Sequence, residues 1–141
     1  MWNIPYNVVR RANRLIQAIN EKKVTDATEA QIGKIYSEAL VVRALVHFDL
    51  VRIYGMPYTA DNGASLGVPV ILKPLERNDL PSRNTVAEVY TQVIRDLTDA
   101  INSGYLAKDK TQGYINEWAA KALLTRVYLT KGDNENALKV A

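Results

Sequence analysis

Residues 118–141 read W-A-A-K-A-L-L-T-R-V-Y-L-T-K-G-D-N-E-N-A-L-K-V-A, and this stretch decides the fold class. Apolar residues recur at helical spacing on both sides of a Gly-Asp pair, which is typical of one helix, a tight turn and the start of a second helix. Small residues let two antiparallel helices approach each other, and larger apolar residues fill the space between them. The stretch therefore predicts a helical hairpin.

The hairpin resembles a tetratricopeptide repeat at the positions where such repeats bring their helices together. A large apolar residue, a tyrosine, a turn glycine and a small contact residue stand at the matching places, namely Leu124, Tyr128, Gly132 and Ala137. The chain stops at Ala141, inside the second helix of this hairpin. We therefore expect it to be a fragment of a larger helical-repeat protein.

Two further helices are predicted upstream. Residues 7–20 carry an apolar stripe opposite a group of arginines, and the stripe consists of Val8, Ala12, Leu15, Ile16 and Ile19. Residues 28–54 form a longer helix whose middle, A-L-V-V-R-A-L-V-H-F-D-L-V, is apolar on nearly every side and should be buried against several neighbours. We expect Gly55 to end this helix in the left-handed conformation, with Pro57 just beyond it.

Residues 55–84 differ in composition, since they contain four prolines and three glycines. Such a segment is mostly irregular, although the short apolar run at 68–72 could pair as an edge strand despite Pro69. Regular structure resumes where Thr85 and Glu88 form a capping box, and the helix that follows should end at Gly104. A polar connection then leads to Asn116, which is a suitable N-cap for the last hairpin.

Together these segments predict an all-α fold. Residues 1–141 would form a single domain of tetratricopeptide-like antiparallel helix pairs, with a long irregular insertion at about 55–84. The helix at 28–54 and the helix that follows Thr85 would make one of the pairs. Helical repeats tolerate such insertions because each repeat needs only its neighbours, and the inserted loops project from one face.

Composition excludes several classes of function. A formal net charge of +3 is too small to indicate nucleic-acid binding, and the basic group formed by Arg10, Arg11 and Arg14 is typical of a solvated helix face. The sequence has no cysteine, so a disulfide framework and a thiolate metal site are both impossible. No run approaches the roughly 20 apolar residues of a membrane-spanning helix.

Four segments resemble, in order, the N-terminal part of the SusD/RagB family, the surface glycan-binding lipoproteins of Bacteroidetes nutrient-uptake systems. They are Y-N-V-V-R-R-A-N-R-L-I at 6–16, E-A-L-V-V-R-A-L-V-H-F-D-L-V-R-I-Y-G-M-P at 38–57, P-S-R-N-T-V-A-E-V-Y-T-Q-V-I-R-D-L at 81–97 and A-A-K-A-L-L-T-R-V-Y-L-T-K-G-D at 119–133. Each segment alone is a common helical string. The four in this order, at these spacings, are specific to the family.

The resemblance implies a helical-repeat scaffold that docks onto a TonB-dependent outer-membrane transporter of the SusC type. It also implies a surface-exposed lipoprotein of the outer membrane, attached by a lipid anchor that this chain does not contain. The implied ligand is an oligosaccharide taken up as a nutrient. The matching segments belong to the scaffold, so the resemblance carries over a fold and a class of partner but no sugar-binding residue.

The residues themselves offer little catalytic chemistry. His47 is the only histidine, and its place in the middle of the long helix favours a buried residue with satisfied hydrogen bonds over a catalyst. Glu38 and Asp49 stand about 16 Å apart along that helix, farther than the ~5–9.5 Å of a glycosidase carboxylate pair. Asp49 and Arg52 are more simply a local ion pair. We therefore predict no enzyme activity, no catalytic residue, no cofactor and no metal site.

Glycan binding requires an exposed aromatic ring beside planar hydrogen-bonding groups. Tyr58, Asp61 and Asn62, on the insertion, fit this requirement and are our candidate ligand-binding residues. The competing interpretation is that Tyr58 packs the insertion against the long helix. Asp61-Asn62-Gly63 is predicted to form a turn, since a calcium loop would need several more oxygen ligands. The aromatic residues on helical apolar stripes are expected in the core, and they are Tyr54, Tyr90, Trp118 and Tyr128.

Two other functions stay open at this point. A generic tetratricopeptide-type scaffold would bind a protein or peptide in a concave groove, and an enzyme would require a catalytic cluster outside this chain. The adjoining gene sequence separates the surface lipoprotein from the generic scaffold. An upstream lipobox cysteine and a neighbouring transporter gene would indicate the lipoprotein.

Overall fold

The computed structural model describes residues 3–109 and 113–141. Within these residues the only β-structure is two isolated bridges, Leu66 with Thr85 and Ala107 with Asn116. The helices, in chain order, are α1 (Asn3–Asn20), α2 (Glu29–Tyr54), α3 (Tyr58–Asp61), α4 (Val86–Asn102), α5 (Glu117–Lys131) and α6 (Asn134–Val140). The predicted all-α fold is confirmed.

Helices α2 and α4 form the central antiparallel pair. The hydroxyl oxygens of Ser37, in the first half of α2, and of Ser103, just after α4, are 2.8 Å apart. At the opposite end, a methyl group placed on Gly55 would lie 3.1 Å from Val86 Cγ2. The end of α2 therefore meets the start of α4, and the predicted pairing of these helices across the insertion is confirmed.

Helix α1 packs against α2, also in the antiparallel direction. The ring of Tyr6 lies 6.4 Å from that of His47, edge to face. One turn earlier in α2, the side chain of Arg43 donates a hydrogen bond to that of Asn13 at 2.9 Å. Because residues early in α1 meet residues late in α2, the two helices run in opposite directions.

Helices α5 and α6 continue the alternation beyond α4. The hydroxyl groups of Tyr90 in α4 and Thr130 in α5 are 3.5 Å apart, while Ile101 and Leu124 line one shallow groove at the other end of the pair. Gly132 joins α5 to α6 with a φ of 84°, a left-handed conformation that favours glycine. The neighbouring helices thus alternate in direction, whereas their repetition as tetratricopeptide-like units stays a prediction.

Side-chain caps explain where the main helices begin. Thr28 accepts a hydrogen bond from the backbone of Gln31 at 3.3 Å, and the Gln31 side chain accepts one from the backbone of Thr28 at 2.9 Å. Thr85 and Glu88 form the same reciprocal box before α4, at 3.2 and 2.8 Å. Asn116 caps α5 through its side-chain oxygen. These caps satisfy backbone N–H groups that have no partner within the helix, and the predicted starts of α2, α4 and α5 are confirmed.

The buried face of α1 differs from the predicted stripe. The helix begins at Asn3 rather than near residue 7, and Val8 and Leu15 are more than a third exposed. The buried positions are Val9, Ala12, Asn13 and Ile16. The helix is rotated so that the amide of Asn13 points into the core, where it finds hydrogen-bonding partners. A stripe drawn from apolar residues alone could not include that position.

Gly55 ends α2 in an extended conformation, not in the predicted left-handed one. Its φ and ψ are −102° and 167°, which any residue can adopt. A Cβ atom at this position would lie 2.7 Å from the carbonyl oxygen of Val51 and 3.1 Å from Val86 Cγ2. The chain therefore uses glycine here because of close approach between helix ends rather than because of backbone dihedral angles.

The insertion at 55–84 is irregular, as predicted, with two differences in detail. Residues 58–61 form the single turn α3, and the run at 68–72 pairs with no strand. Pro69 has no N–H to donate to a ladder, and the chain instead buries Val68 and Ile71 against the helices. The backbone of Gly67 donates to Asn84 O at 2.7 Å, which brings the middle of the insertion against its C-terminal end.

One face of α5 remains open to solvent. Trp118 is 61% exposed, with Lys121 Nζ 4.9 Å from its ring centre. Tyr90 is buried as predicted, and Tyr54 and Tyr128 are half-buried. The prediction that Trp118 belongs to the core is wrong, because the buried face of α5 consists of Ala120, Leu124 and Val127 and does not include Trp118. Among the described residues, every helix is too short or too polar to cross a membrane.

Candidate functional site

The three predicted ligand-binding residues lie together on one turn. Tyr58 begins α3, Asp61 ends it, and Asn62 follows as its C-cap with a φ of 56°. Gly63 continues the turn with a φ of 76°, so the predicted Asp-Asn-Gly turn is confirmed. The side chain of Asn62 is exposed, whereas those of Tyr58 and Asp61 are half-buried.

Tyr58 packs against residues of α4 and α5. Its ring centre lies 5.1 Å from that of Tyr90 in a tilted arrangement, and Lys131 Nζ lies 5.5 Å from the same ring. Tyr90 in turn meets Phe48 edge to face at 5.9 Å. Tyr58 is therefore the outermost member of an aromatic series that begins in the core, and only part of its ring is free for a ligand.

The carboxylate of Asp61 is occupied within its own turn. One oxygen accepts from the backbone N–H groups of Gly63 and Ala64 at 3.0 and 3.1 Å, and the other accepts from the backbone and hydroxyl of Ser65. The Ser65 hydroxyl, followed by these backbone N–H groups, holds the pKa of Asp61 below its usual range. Asp61 thus fixes the shape of the turn, and the exposed amide of Asn62 is its freer hydrogen-bonding group.

His47 is a buried core residue. Its Nδ1 lies 3.0 Å from the carbonyl oxygen of Arg43 and therefore carries the proton. Its Nε2 accepts a hydrogen bond from the backbone N–H of Ile71 at 3.2 Å. Burial lowers the pKa of His47 to about 4, so the ring is neutral at pH 7. The sequence-based interpretation of His47 as a satisfied core histidine is confirmed.

The most unusual feature of the core is a buried ion pair between α2 and α4. Arg43 donates from Nε and Nη2 to the two carboxylate oxygens of Asp96, at 2.7 and 2.8 Å. The two side chains are only 7% and 3% exposed. Gln92 adds a further hydrogen bond to Asp96 at 2.8 Å. Such a bidentate pair is strongly directional, and it fixes the register of the two helices.

The same network extends to α1 and to the insertion. Arg43 Nη1 donates to Asn13 Oδ1 at 2.9 Å, and Asn13 Nδ2 donates to the carbonyl oxygen of Ile71 at 2.8 Å. His47 holds the N–H of Ile71 from the other side. One stretch of the insertion is therefore hydrogen-bonded to both α1 and α2, and this irregular segment has a defined path. The sequence-based interpretation did not include Asn13, Arg43 or Asp96.

A groove of about 400 Å³ lies where the insertion crosses the first half of α1. We call it the α1 groove, and its lining consists of Tyr6, Asn7, Arg10, Ile71, Lys73 and Leu75. The hydroxyl of Tyr6 donates to the carbonyl oxygen of Pro69 at 2.9 Å, and burial raises the pKa of Tyr6 to about 12. The groove was not predicted from the sequence.

Clusters of metal-ligating side chains are absent from the residues that the structure describes. Residues 3–109 and 113–141 contain no group of three or more His, Asp or Glu side chains that could hold a metal ion. Glu38 has one buried oxygen without a hydrogen-bond partner, and burial raises its pKa. Asp49 is bound to Arg52 at 3.3 Å as a local ion pair, as predicted.

Comparison with known proteins identifies the family of this scaffold. Residues 1–129 match the sequence model of a SusD-like family that is described as "Starch-binding associating with outer membrane". The chain belongs to the SusD-like family. A SusD superfamily protein from Bacteroides thetaiotaomicron, known from a crystal structure, is 45% identical in sequence and matches with a TM-score of 0.94. That match covers 99% of this chain and 30% of the other.

Two further SusD-like relatives extend the comparison. A SusD-like protein from Bacteroides ovatus is 31% identical over 136 residues, which are 96% of this chain and 23% of that protein. A solved structure described as a laminarin-binding SusD-like protein is 32% identical, with a TM-score of 0.80 over 99% of this chain and 28% of its own. The chain thus spans between about a quarter and a third of the length of these SusD-like proteins.

Proposed function

We propose that the protein containing this chain binds glycans at the surface of the outer membrane and works with a TonB-dependent transporter of the SusC type in oligosaccharide uptake. The observation that carries the proposal is the SusD-like match, which extends over residues 1–129. The family description names starch, and one relative is described as binding laminarin. Both are glucose polymers, so a glucan is the first ligand to test.

We assign to this chain the role of a scaffold that also carries part of the ligand surface, at the turn formed by residues 58–62. The antiparallel helices supply a rigid framework, and the network around Arg43 and Asp96 ties the insertion to it. We assign binding rather than catalysis to the protein because the family description names starch binding. A lipid anchor outside this chain would hold the protein at the outer membrane.

The transporter partnership has a direct test. We expect the full-length protein, co-expressed with its neighbouring outer-membrane transporter and purified through a tag, to bring the transporter with it after detergent extraction. A tagged periplasmic protein expressed at the same level is the control. If the transporter elutes equally from both, the partnership is wrong, and the generic protein-binding scaffold becomes the better interpretation provided that sugar binding also fails.

A substitution of Tyr58 tests the candidate ligand surface. If the exposed part of its ring stacks on a sugar, Tyr58→Ala in the full-length protein should weaken glucan binding by about 1 kcal/mol, or roughly fivefold in Kd. Calorimetric titration measures the change, and a thermal melt measures the fold. Tyr114→Ala is the control, because Tyr114 is an exposed tyrosine that lies outside the insertion.

The same pair of measurements shows when the ligand role of Tyr58 is wrong. The alternative is that Tyr58 only packs, through its contacts with Tyr90 and Lys131. In that case Tyr58→Ala lowers the melting temperature and leaves the Kd of the folded protein unchanged. Asn62→Gly tests the same surface independently, since glycine removes the exposed amide and readily adopts the φ of 56° at this position.

A further inference from the structure

The α1 groove has walls that are fixed before any ligand arrives. On the α1 side, Tyr6 is tethered to the carbonyl oxygen of Pro69 at 2.9 Å. On the opposite side, Ile71 is held through its carbonyl oxygen by Asn13 at 2.8 Å and through its N–H by His47 at 3.2 Å. A binding site whose walls are already ordered loses little conformational entropy when it captures a ligand.

The charge in the groove has one sign. Arg10 and Lys73 line it, both are exposed, and neither pairs with a carboxylate in the part of the chain that the structure describes. None of the described residues that line the groove is acidic, and the sequence of α1 contains no acidic residue. Two uncompensated cations at the mouth of a preformed groove favour an anionic ligand.

We propose that the α1 groove binds a uronic acid residue of an acidic oligosaccharide. The guanidinium of Arg10 can pair with the sugar carboxylate through two parallel hydrogen bonds, while Lys73 supplies a second charge. Tyr6 offers part of an aromatic ring to the apolar face of the sugar, and the exposed amide of Asn7 can bond its hydroxyls. This inference rests on the proposed glycan-binding function and adds a class of sugar and a second site.

The size and chemistry of the groove favour a sugar over an acidic peptide. A volume of about 400 Å³ lies in the range of small-molecule pockets, and its lining combines an aromatic ring, an amide and two cations. A protein partner would instead require a wider surface. The groove also lies on the opposite side of the core from the turn at 58–62, which packs on α4 and α5. The two sites can therefore be tested separately.

The test uses the full-length protein and two charged probes with neutral counterparts. Trigalacturonate is compared with galactotriose, and β-1,4-linked triglucuronate with cellotriose, by calorimetric titration at low salt. We expect at least one acidic trisaccharide to bind at least about tenfold more tightly than its neutral counterpart. Because the charge pairs are solvent-accessible, raising the salt concentration should weaken the binding of the acidic probe and leave the binding of neutral sugars unchanged.

Single substitutions assign that binding to the groove. Arg10→Ala should weaken the binding of the acidic probe about fivefold or more. The double variant Arg10→Ala with Lys73→Ala should bind the acidic and the neutral sugar equally. Arg14→Ala is the matched control, since Arg14 is an exposed arginine on the same helix that does not line the groove. A thermal melt of each variant verifies that the fold is intact.

The outcomes separate this inference from the proposed function. Failure of both acidic probes to bind, or an equal loss in Arg10→Ala and Arg14→Ala, overturns the uronate site. Equal binding of hexa-aspartate with the same dependence on Arg10 also overturns it, in favour of an acidic peptide. Titration of maltoheptaose in the same experiment reports on glucan binding alone. Glucan binding without uronate binding leaves the proposed function standing and removes only the second site.

Discussion

Asp96→Ala should lower the free energy of unfolding by about 3–5 kcal/mol, because it leaves the guanidinium of Arg43 buried without its counter-ion. The pair is only 7% and 3% exposed at its two side chains, so water cannot replace the lost carboxylate. Gln92 would lose a partner as well. Urea denaturation followed by circular dichroism measures the change.

A double substitution distinguishes loss of the ion pair from loss of packing. Arg43→Met combined with Asp96→Leu removes both charges and keeps most of the buried volume. We expect it to recover much of the stability that Asp96→Ala loses, since a buried ion pair and a well-packed apolar pair are often similar in free energy. A loss below about 1 kcal/mol in Asp96→Ala, or a double variant less stable than the single one, would contradict this account of the network.

Acid should destabilise the protein through His47. The folded state holds the pKa of His47 at about 4, against 6.5 for an exposed imidazole. Between these values the unfolded state binds a proton that the folded state does not, so the stabilisation is complete above pH 6.5 and is lost as the pH falls toward 4. The loss from this residue between pH 7.5 and 4.5 is about 2–3 kcal/mol.

His47→Gln isolates this contribution from that of the carboxylates. A glutamine oxygen can accept the hydrogen bond from Ile71 N–H that Nε2 accepts now, but glutamine does not titrate. Urea denaturation at pH 7.5 and 4.5 should show a stability loss in the wild-type protein that exceeds the loss in His47→Gln by about 2 kcal/mol. The same loss in both proteins would show that His47 does not carry the acid sensitivity.

The positions of the helices could be predicted because their signals are local. A capping box needs two residues three positions apart, so Thr85 and Glu88 predict the start of α4 without knowledge of the fold. The proline and glycine density at 55–84 predicts irregular backbone for the same reason. By contrast, the need for glycine at position 55 depends on how closely Val86 approaches it, and no local pattern contains that distance.

The buried network could not be predicted from apolar periodicity, although its polar members occupy helix positions that belong to the core. Arg43 and Asp96 are 53 residues apart, so neither predicts the other until the helices are paired. Each polar member nevertheless stands at a position that helical spacing assigns to the core, next to Ala12, Ala44 or Leu97. A polar residue at such a position must find a hydrogen-bonding partner. Applied to the buried faces of α1, α2 and α4, that rule would have identified Asn13, Arg43 and Asp96.

The path of the insertion was beyond sequence reasoning for a different reason. The hydrogen bonds that fix it use the backbone groups of Ile71, and every residue except proline carries the same two groups. The candidate turn is a similar case. Tyr58, Asp61 and Asn62 are close in sequence, so their proximity could be predicted, whereas the packing of Tyr58 on the distant Tyr90 could not. The ligand role of these three residues stays a prediction.

Calorimetric titration of neutral glucan oligosaccharides into the full-length protein and into the 141-residue chain tests the central proposal most directly. We expect maltoheptaose or laminariheptaose to bind the full-length protein saturably, since this chain covers only 30% of one SusD superfamily protein of known structure and supplies mainly the scaffold. The isolated chain should show little or no binding of either sugar. The proposal is contradicted if the full-length protein binds neither glucan, and the scaffold role is contradicted if the isolated chain binds one as tightly as the full-length protein does.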